Sequence, residues 1–339
     1  MKALKYLLFL ILIVIIGLAI YIAIQPNAFE VTRARTFKAP AAVIYNNVVD
    51  YKKWEAWSPW VEKEPDLKLT YPEQTKGIGG HYSWEGKDGL GRMKTLSTIE
   101  NKSITQEIQF EDYTPSNILW TFEPTQDNQT KVTWTMKSDD VPFLFKGIAA
   151  FSGGFDKMIG PDFERGLEKL DSLTTKAVEQ YTITVNGVTE HGGGFYIYNT
   201  TSCKMDQLEP TVQNMMNTIN TYAAKNNILR AGAPYVRYHK WDKQNNAVMF
   251  SCCVPTTARV DTAASDILTG QLAPFKAVET TLKGNYTNLK EAWDTAMAYV
   301  TERNLEFAET GPMIETYVTD PTSEPNPAKW ITKIYIAVK

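Results

Sequence analysis

Two pairs of residues near the C-terminus are best placed to do chemistry. Glu315 and Tyr317 lie in the run PMIETY (312–317), and Lys333 and Tyr335 lie in the closing run WITKIYIAVK (330–339). Members of each pair are two apart, so on a β-strand they leave the same face. Ile334, Ile336 and Val338 alternate with Lys333 and Tyr335. An apolar trio of that kind packs inward against helices and turns Lys333 and Tyr335 to the groove side. The same reasoning sends Ile314, Thr316 and Val318 inward and leaves Glu315 and Tyr317 in that groove. An earlier hairpin places Val236 and Tyr238 in the matching positions. A carboxylate in a ring-lined cup needs a partner, or its pKa rises. Ring faces also favour cations. Glu315 therefore has three readings: a ligand-binding or catalytic group, an internal ion pair with Lys333, or a solvated strand residue. As a catalyst it would be a general base on water, with Tyr317 or Tyr335 orienting the substrate.

A second constellation is aromatic. Trp54, Trp57 and Trp60 recur every three residues in DYKKWEAWSPWVEKEP (50–65), which puts three indoles along one side of a helical or 3₁₀ turn. Trp57 and Trp60, with Tyr82, Trp84, Trp120 and Trp134, are candidates for the wall of an apolar cavity. Trp57, Trp60, Trp84 and Trp120 are the ligand-binding choices, and plain core packing is the alternative for each.

Other chemistry is not indicated. His81, His191 and His239 are far apart and lack ligand spacing, so no metal is expected. His191-Gly192-Gly193-Gly194 imitates a lipase oxyanion loop, but no G-x-S-x-G accompanies it, and a flexible turn before a strand explains it. Gly77-x-Gly79-Gly80 lies between strands with no helix after it, so it reads as a hairpin. No P-loop or EF-hand loop occurs, and no cofactor is expected. Of the three cysteines, Cys203, Cys252 and Cys253, the last faces the groove if the hairpins align at Pro255 and Ala337, with a buried thiol as the default. The net charge of −3 leaves no basic footprint, so no nucleic-acid partner is expected.

The elements that must position these groups start with residues 1–28. Leu7 to Ile24 is an uncharged run of 18 residues, which at about 1.5 Å per residue reaches roughly 27 Å. A retained transmembrane anchor, contacting the membrane through residues 6–24, is the reading. A cleaved signal peptide is its rival, but that has a shorter apolar core and a small-x-small site. Lys2, Lys5 and the terminal amine favour a cytoplasmic tail and a bulk on the other side, against which stand Arg33, Arg35 and Lys38.

Residues 29–176 read as a first domain. Phe29–Phe37 is strand-like, and Ala42–Val49 is a short helix. Ile104, Ile108 and Phe110, then Ile118, Trp120 and Phe122, then Val132, Trp134 and Met136, alternate with polar residues as half-buried antiparallel strands do. Phe163, Leu167, Leu170 and Leu173 mark an amphipathic helix from Asp162 to about Lys176. The order is α+β, a bent antiparallel sheet gripping a C-terminal helix. The pieces FKAPAAVIYNNVVDYKKWEAWSPW, KGIGGHYSWEGKDGLGRM, KVTWTMK and FERGLEKL resemble the polyketide cyclase/dehydrase and lipid-transport-like domains of the START-like (SRPBCC) superfamily. That resemblance implies a hydrophobic cavity between sheet and helix, without implying one chemistry.

Residues 177–339 contain a duplicated β-α-β-β unit. The first copy is Thr182–Val188 with Phe195–Tyr198, a helix Asp206–Lys225, and a hairpin Tyr235–Lys240 with Val248–Val254. The second is Phe275–Leu282, a helix Asn288–Arg303, and a hairpin Ile314–Val318 with Ile331–Val338. GAPYVRY (232–238) aligns with GPMIETY (311–317). Such copies pack about a pseudo-twofold axis with a groove between them. The repeat and the ending resemble the gyrase-inhibitor-like effector-binding domain, found in multidrug-sensing regulators and as a stand-alone module. The resemblance implies that an acid at Glu315 answers a cationic or polar ligand. The family often carries an acid in the last strand, where this chain has Lys333, and a lysine there would favour a neutral or anionic ligand. With no DNA-binding segment attached, a transcription factor is disfavoured. The function expected is a membrane-anchored binder of a small apolar or amphipathic ligand, sensing or sequestering it. The alternative, drawn from stand-alone members that resemble hydrolases, is hydrolysis of small electrophilic substrates with Glu315 as base.

Overall fold

The computed structural model describes residues 2–87, 89–125, 129–262 and 265–339. The terminal amine and the Lys2 side chain, on which the expected orientation leans, lie outside them. The chain divides into two compact units, Met1–Ala177 and Val178–Lys339.

Unit 1 opens with α1 (Lys2–Ala23), whose side chains are exposed along nearly their whole length. Then come β1 (Phe29–Phe37), α2 (Ala41–Val48), a 3₁₀ turn (Tyr51–Ala56) and α3 (Pro59–Lys63). Six strands follow: β2 (Lys68–Thr70), β3 (His81–Gly86), β4 (Gly89–Ile99), β5 (Ser103–Phe110), β6 (Ser116–Pro124) and β7 (Thr130–Ser138). Two helices close the unit, α4 (Phe143–Ser152) and α5 (Phe155–Glu179). The sheet runs β1-β7-β6-β5-β4-β3-β2, every pair antiparallel. The expected alternation is present: Ile118, Trp120 and Phe122 of β6 and Val132, Trp134 and Met136 of β7 are all buried. The long helix grips this face, with Phe163 stacked on Trp134 at 4.0 Å.

Helix α5 starts seven residues before the expected Asp162. Proline at 161 removes a backbone donor and signals a helix start, yet the helix runs through it. Arg33 of β1 spans the weak point. Its guanidinium holds Asp156 at 2.8 Å and Glu164 at 2.6 Å, one on each side of Pro161.

Unit 2 is one sheet of eight strands backed by two helices. In chain order it has β8 (Thr182–His191), β9 (Gly194–Lys204), α6 (Leu208–Lys225), β10 (Tyr235–Asp242), β11 (Ala247–Thr256), β12 (Leu268–Leu272), β13 (Phe275–Lys283), α7 (Leu289–Glu302), β14 (Met313–Tyr317) and β15 (Ile331–Ala337). The spatial order is β12-β9-β11-β10-β14-β15-β13-β8. The duplication is there, with one correction. Strand β8, expected in the first copy, pairs with β13 of the second. The short β12, not expected from sequence, pairs back with β9. Each half thus receives its edge strand from the segment preceding the other half. The turn at 192–194 makes that exchange possible. A Cβ on Gly193 (φ +67°) would fall 2.2 Å from the Leu272 carbonyl oxygen, so only glycine fits where this turn passes the β12–β13 link.

Candidate ligand-binding sites

In unit 1 a cavity of about 290 Å³ opens between the 3₁₀ turn, α3 and the β3–β5 wall. Trp54, Trp60, Tyr82, Trp84 and Phe110 supply its rings, and Lys63 and Asp162 form an ion pair among its lining residues. Of the expected residues, the structure brings Trp60, Tyr82 and Trp84 to this cavity. Trp57, Trp120 and Trp134 are elsewhere, wholly buried in the core. Trp120 stacks on Trp134 at 4.2 Å, and Trp57 meets both edge-on at 5.9 and 6.0 Å. The three-residue spacing fails to keep the indoles in one row for a local reason. Trp57 is the break between the 3₁₀ turn and α3, whose N-cap is Ser58 followed by Pro59. Trp54, which was not among the expected cavity residues, lines the cavity in place of Trp57.

In unit 2, register decides which residues share a face. Glu315 pairs with Val236 and with Ile334, and directly opposed residues point to the same side. Ile334 packs with Ala292, Ala296 and Val300 of α7, so Glu315 faces the helices. Ile314 pairs with Tyr335 and packs with Tyr235, Cys253 and Tyr335 on the other face. Glu315 and Tyr335 therefore do not look into one groove, and they cannot flank one substrate. The parity of β15 holds, but that of β14 is reversed. Ile314 and Ile334 are both wholly buried, on opposite faces, and strands covered on both faces lose the alternation that parity needs. Cys253 lies on the face of Lys333 and Tyr335, where the alignment at Pro255 and Ala337 put it, and Cys252 lies on the helix side.

Lys333 is also on the far face, 3.0 Å from Glu279. The ion pair with Glu315, one of the three readings of that acid, is not formed. Burial pushes Glu279 up, but hydrogen bonds from Lys333, Asn186 and Tyr335 outweigh it and hold that carboxyl below its usual range.

Glu315 is 2% exposed. Trp293 Nε1 donates to its Oε2 at 2.7 Å, and the Tyr238 hydroxyl reaches the same oxygen at 3.4 Å. The Tyr317 hydroxyl donates to Oε1 at 2.5 Å. Among the described residues no Lys, Arg or His forms an ion pair with it. Burial pushes the carboxyl up, and the three donors recover only part of the shift. Tyr317 and Tyr238 are pushed well up, first by burial and then by the Glu315 charge. A further ring of aromatics surrounds them. Trp241 stacks on Tyr238 at 4.8 Å, and Tyr286 meets Tyr317 edge-on at 5.3 Å.

The internal symmetry explains this arrangement. Val236 and Glu315 are counterparts in the two copies, and they pair directly, so they straddle the pseudo-twofold axis. Tyr238 and Tyr317 are counterparts too, which is why both reach the acid. Aligning Leu208 with Leu289 sets Val212 of α6 against Trp293 of α7. At two of the positions where the copies differ, Val236 against Glu315 and Val212 against Trp293, the second copy carries polar groups that bond each other. Trp293 was missed as a site residue, and comparing the copies would have found it.

The comparisons with known proteins agree with this division. Residues 28–174 match the family described as polyketide cyclase / dehydrase and lipid transport, and residues 195–339 match the GyrI-like small molecule binding domain. The chain carries one domain of each family. No curated protein matches it. Among solved structures, protein CV1439 from Chromobacterium violaceum is 15% identical over 44% of this chain and 96% of its own, with a TM-score of 0.33. Protein Ms6760 from Mycobacterium smegmatis is 21% identical over 43% of this chain and 91% of its own, at 0.32. The EcmrR C-terminal domain is 16% identical over 47% of this chain and 98% of its own, at 0.38. Both domains of this chain are thus of small-molecule-binding types.

Proposed function

We propose that this chain is a membrane-tethered receptor for small, largely apolar molecules, and that its GyrI-like domain takes a ligand carrying positive charge. The observation that carries the reading is the Glu315 carboxylate, buried among phenol and indole rings with no ion-pair partner among the described residues. A cation delivered by a ligand would neutralise that charge and gain from the ring faces. Lys333, whose presence argued for a neutral or anionic ligand, is spent on Glu279 across the sheet. The unit 1 cavity, aromatic inside and charged at Lys63 and Asp162, suits an amphipathic molecule. Membrane attachment rests on the apolar helix Ala3–Ala23, whose length and composition fit a span and also a signal sequence. Lys2 and Lys5 orient it with the bulk outside.

The test uses the full chain and two isosteric probes, N-methylquinolinium and neutral 1-methylnaphthalene, followed by tryptophan fluorescence. The cation should bind at least about tenfold more tightly than the neutral probe, as attraction to the carboxylate and the ring faces predicts, and Glu315→Gln should abolish the preference. Equal binding of both probes, or a preference that survives Glu315→Gln, would overturn the reading.

A further inference from the structure

Helix α4 presents an apolar face to the outside. Phe143, Leu144, Ile148 and Phe151 are 54, 57, 45 and 68% exposed. Leu144, Ile148 and Phe151 follow i, i+4, i+7 spacing and so share one face. The opposite side is docked. Phe145 packs on Phe110 at 6.1 Å and Tyr113 at 5.3 Å, and Lys146 and Ala149 are buried. Exposed side chains of this size in one patch mark a contact surface.

The position of the helix says what the contact is. Residues 3–23 fill about 31 Å of helix, the thickness of a bilayer core, so the last turn of α1 lies at its edge. That turn is where α4 docks. A Cβ on Gly147 would come within 3.2 Å of Ile22, so glycine allows the two helices to approach closely. Asn27, just past α1, accepts from the Val141 backbone at 2.9 Å and from the Lys146 ammonium. Phe29 stacks at 4.1 Å on Phe155, the first residue of α5. The Gly147–Ile22 approach and the Asn27 bonds thus hold α4 at the foot of the span.

We propose that α4 is a second membrane element, lying in the headgroup–acyl boundary with Leu144, Ile148 and Phe151 turned into the lipid. The proposal rests on α1 being a retained span. A helix in that boundary sits only about 5–10 Å deep, the level that contact with Ile22 sets. Phe145 then couples the membrane surface to Phe110, a wall residue of the unit 1 cavity.

Full-length protein in phosphatidylcholine vesicles doped with a diazirine-acyl phospholipid provides the test. After irradiation, lipid adducts are mapped by peptide mass spectrometry. Adducts are expected on 3–23 and on 143–152, with the second segment at least about tenfold above the α6 segment 208–225, as insertion of an apolar face predicts. Ile148→Asp with Phe151→Asp, both at exposed positions, should remove the adducts on 143–152 and keep those on 3–23. Adducts on 3–23 alone in the unmodified protein would overturn the proposal, whether the face is bare or covered by a second copy or another protein. An unchanged yield in the double variant would also overturn it. Absence of adducts from 3–23 as well would instead defeat the anchor reading, and this proposal with it.

Discussion

The two units surround their candidate sites with the same residue types and use them differently. In unit 1 the cavity-lining Trp54 turns its N–H away to the Val48 carbonyl, so the cavity meets its ring. In unit 2 the polar ends of Trp293, Tyr238 and Tyr317 converge on one carboxylate, so a visitor meets a charge inside a ring-lined shell. On the proposed function, the same aromatic content would read shape and apolarity in one place and charge in the other. Where the rings point their N–H and O–H groups decides which.

The largest effect that tests this contrast belongs to unit 1. Trp134 is wholly buried between Trp120 and Phe163. Trp134→Ala should cost about 3–5 kcal/mol in denaturant unfolding, the scale of a large core truncation. Trp60→Ala, at a half-buried wall position, should cost about 1 kcal/mol or less while weakening binding of an apolar probe to the cavity. If Trp60→Ala proves as damaging as Trp134→Ala, the separation of cavity wall from core is wrong.

Next comes the acid. Glu315→Ala leaves three donors without an acceptor and should cost about 1–3 kcal/mol, measured by thermal or urea unfolding. The pH dependence gives a sharper test. The folded carboxyl lies above its ordinary 4.5, so the folded state binds the proton more tightly than the unfolded state. Stability from this group is full below about 4.5 and declines as pH rises through the folded value. Glu315→Gln removes that decline, so the variant should gain on the native protein as pH rises above 4.5. Binding of N-methylquinolinium should strengthen across the same window, because the charged carboxylate is the form it needs. A stability difference that is flat with pH would mean that Glu315 does not titrate above its normal range.

Much of the fold was open to reading, and the failures have physical causes. Strand Phe29–Phe37 and the duplicated helices follow from single-face burial, where periodicity and structure agree. The start of α5 was hidden because Pro161 sends a local start signal, while the turn before it is tied to Arg33, far away in sequence. The exchange of β8 and β12 was hidden because strand partnership is not local: β8 pairs with β13, far along the chain, and not with the strand that follows it. For the site, Glu315, Tyr317 and Tyr238 were found as residues, but their face was not, since Ile314 obeys an inward rule on whichever side is covered. Trp60 and Trp84 were placed at a cavity correctly in kind, while Trp57 and Trp120 have the same chemistry and differ only in depth. Sequence carries residue type well and depth poorly.

The smallest predicted effect bears most directly on the two-faced sheet. Lys333 and Glu279 lie opposite the Glu315 side, with Lys333 36% exposed and Glu279 more buried. Lys333→Met should cost only about 0.5–1 kcal/mol at neutral pH, as a partly exposed pair does, because Asn186 still donates to Glu279. The native Glu279 carboxyl is held low, so its contribution is present above the unfolded pKa and fades as pH falls through the folded one. Lys333→Met should therefore shrink the loss of stability on acidification, which an unfolding series below pH 5 would detect. Affinity for N-methylquinolinium should change by less than about threefold, because a sheet separates the two carboxylates and the mutation adds no charge on the Glu315 side. A tenfold gain in cation affinity in Lys333→Met would mean that the lysine and Glu315 act on one site after all, which the pairing of Lys333 with Thr316 and of Glu315 with Ile334 does not allow.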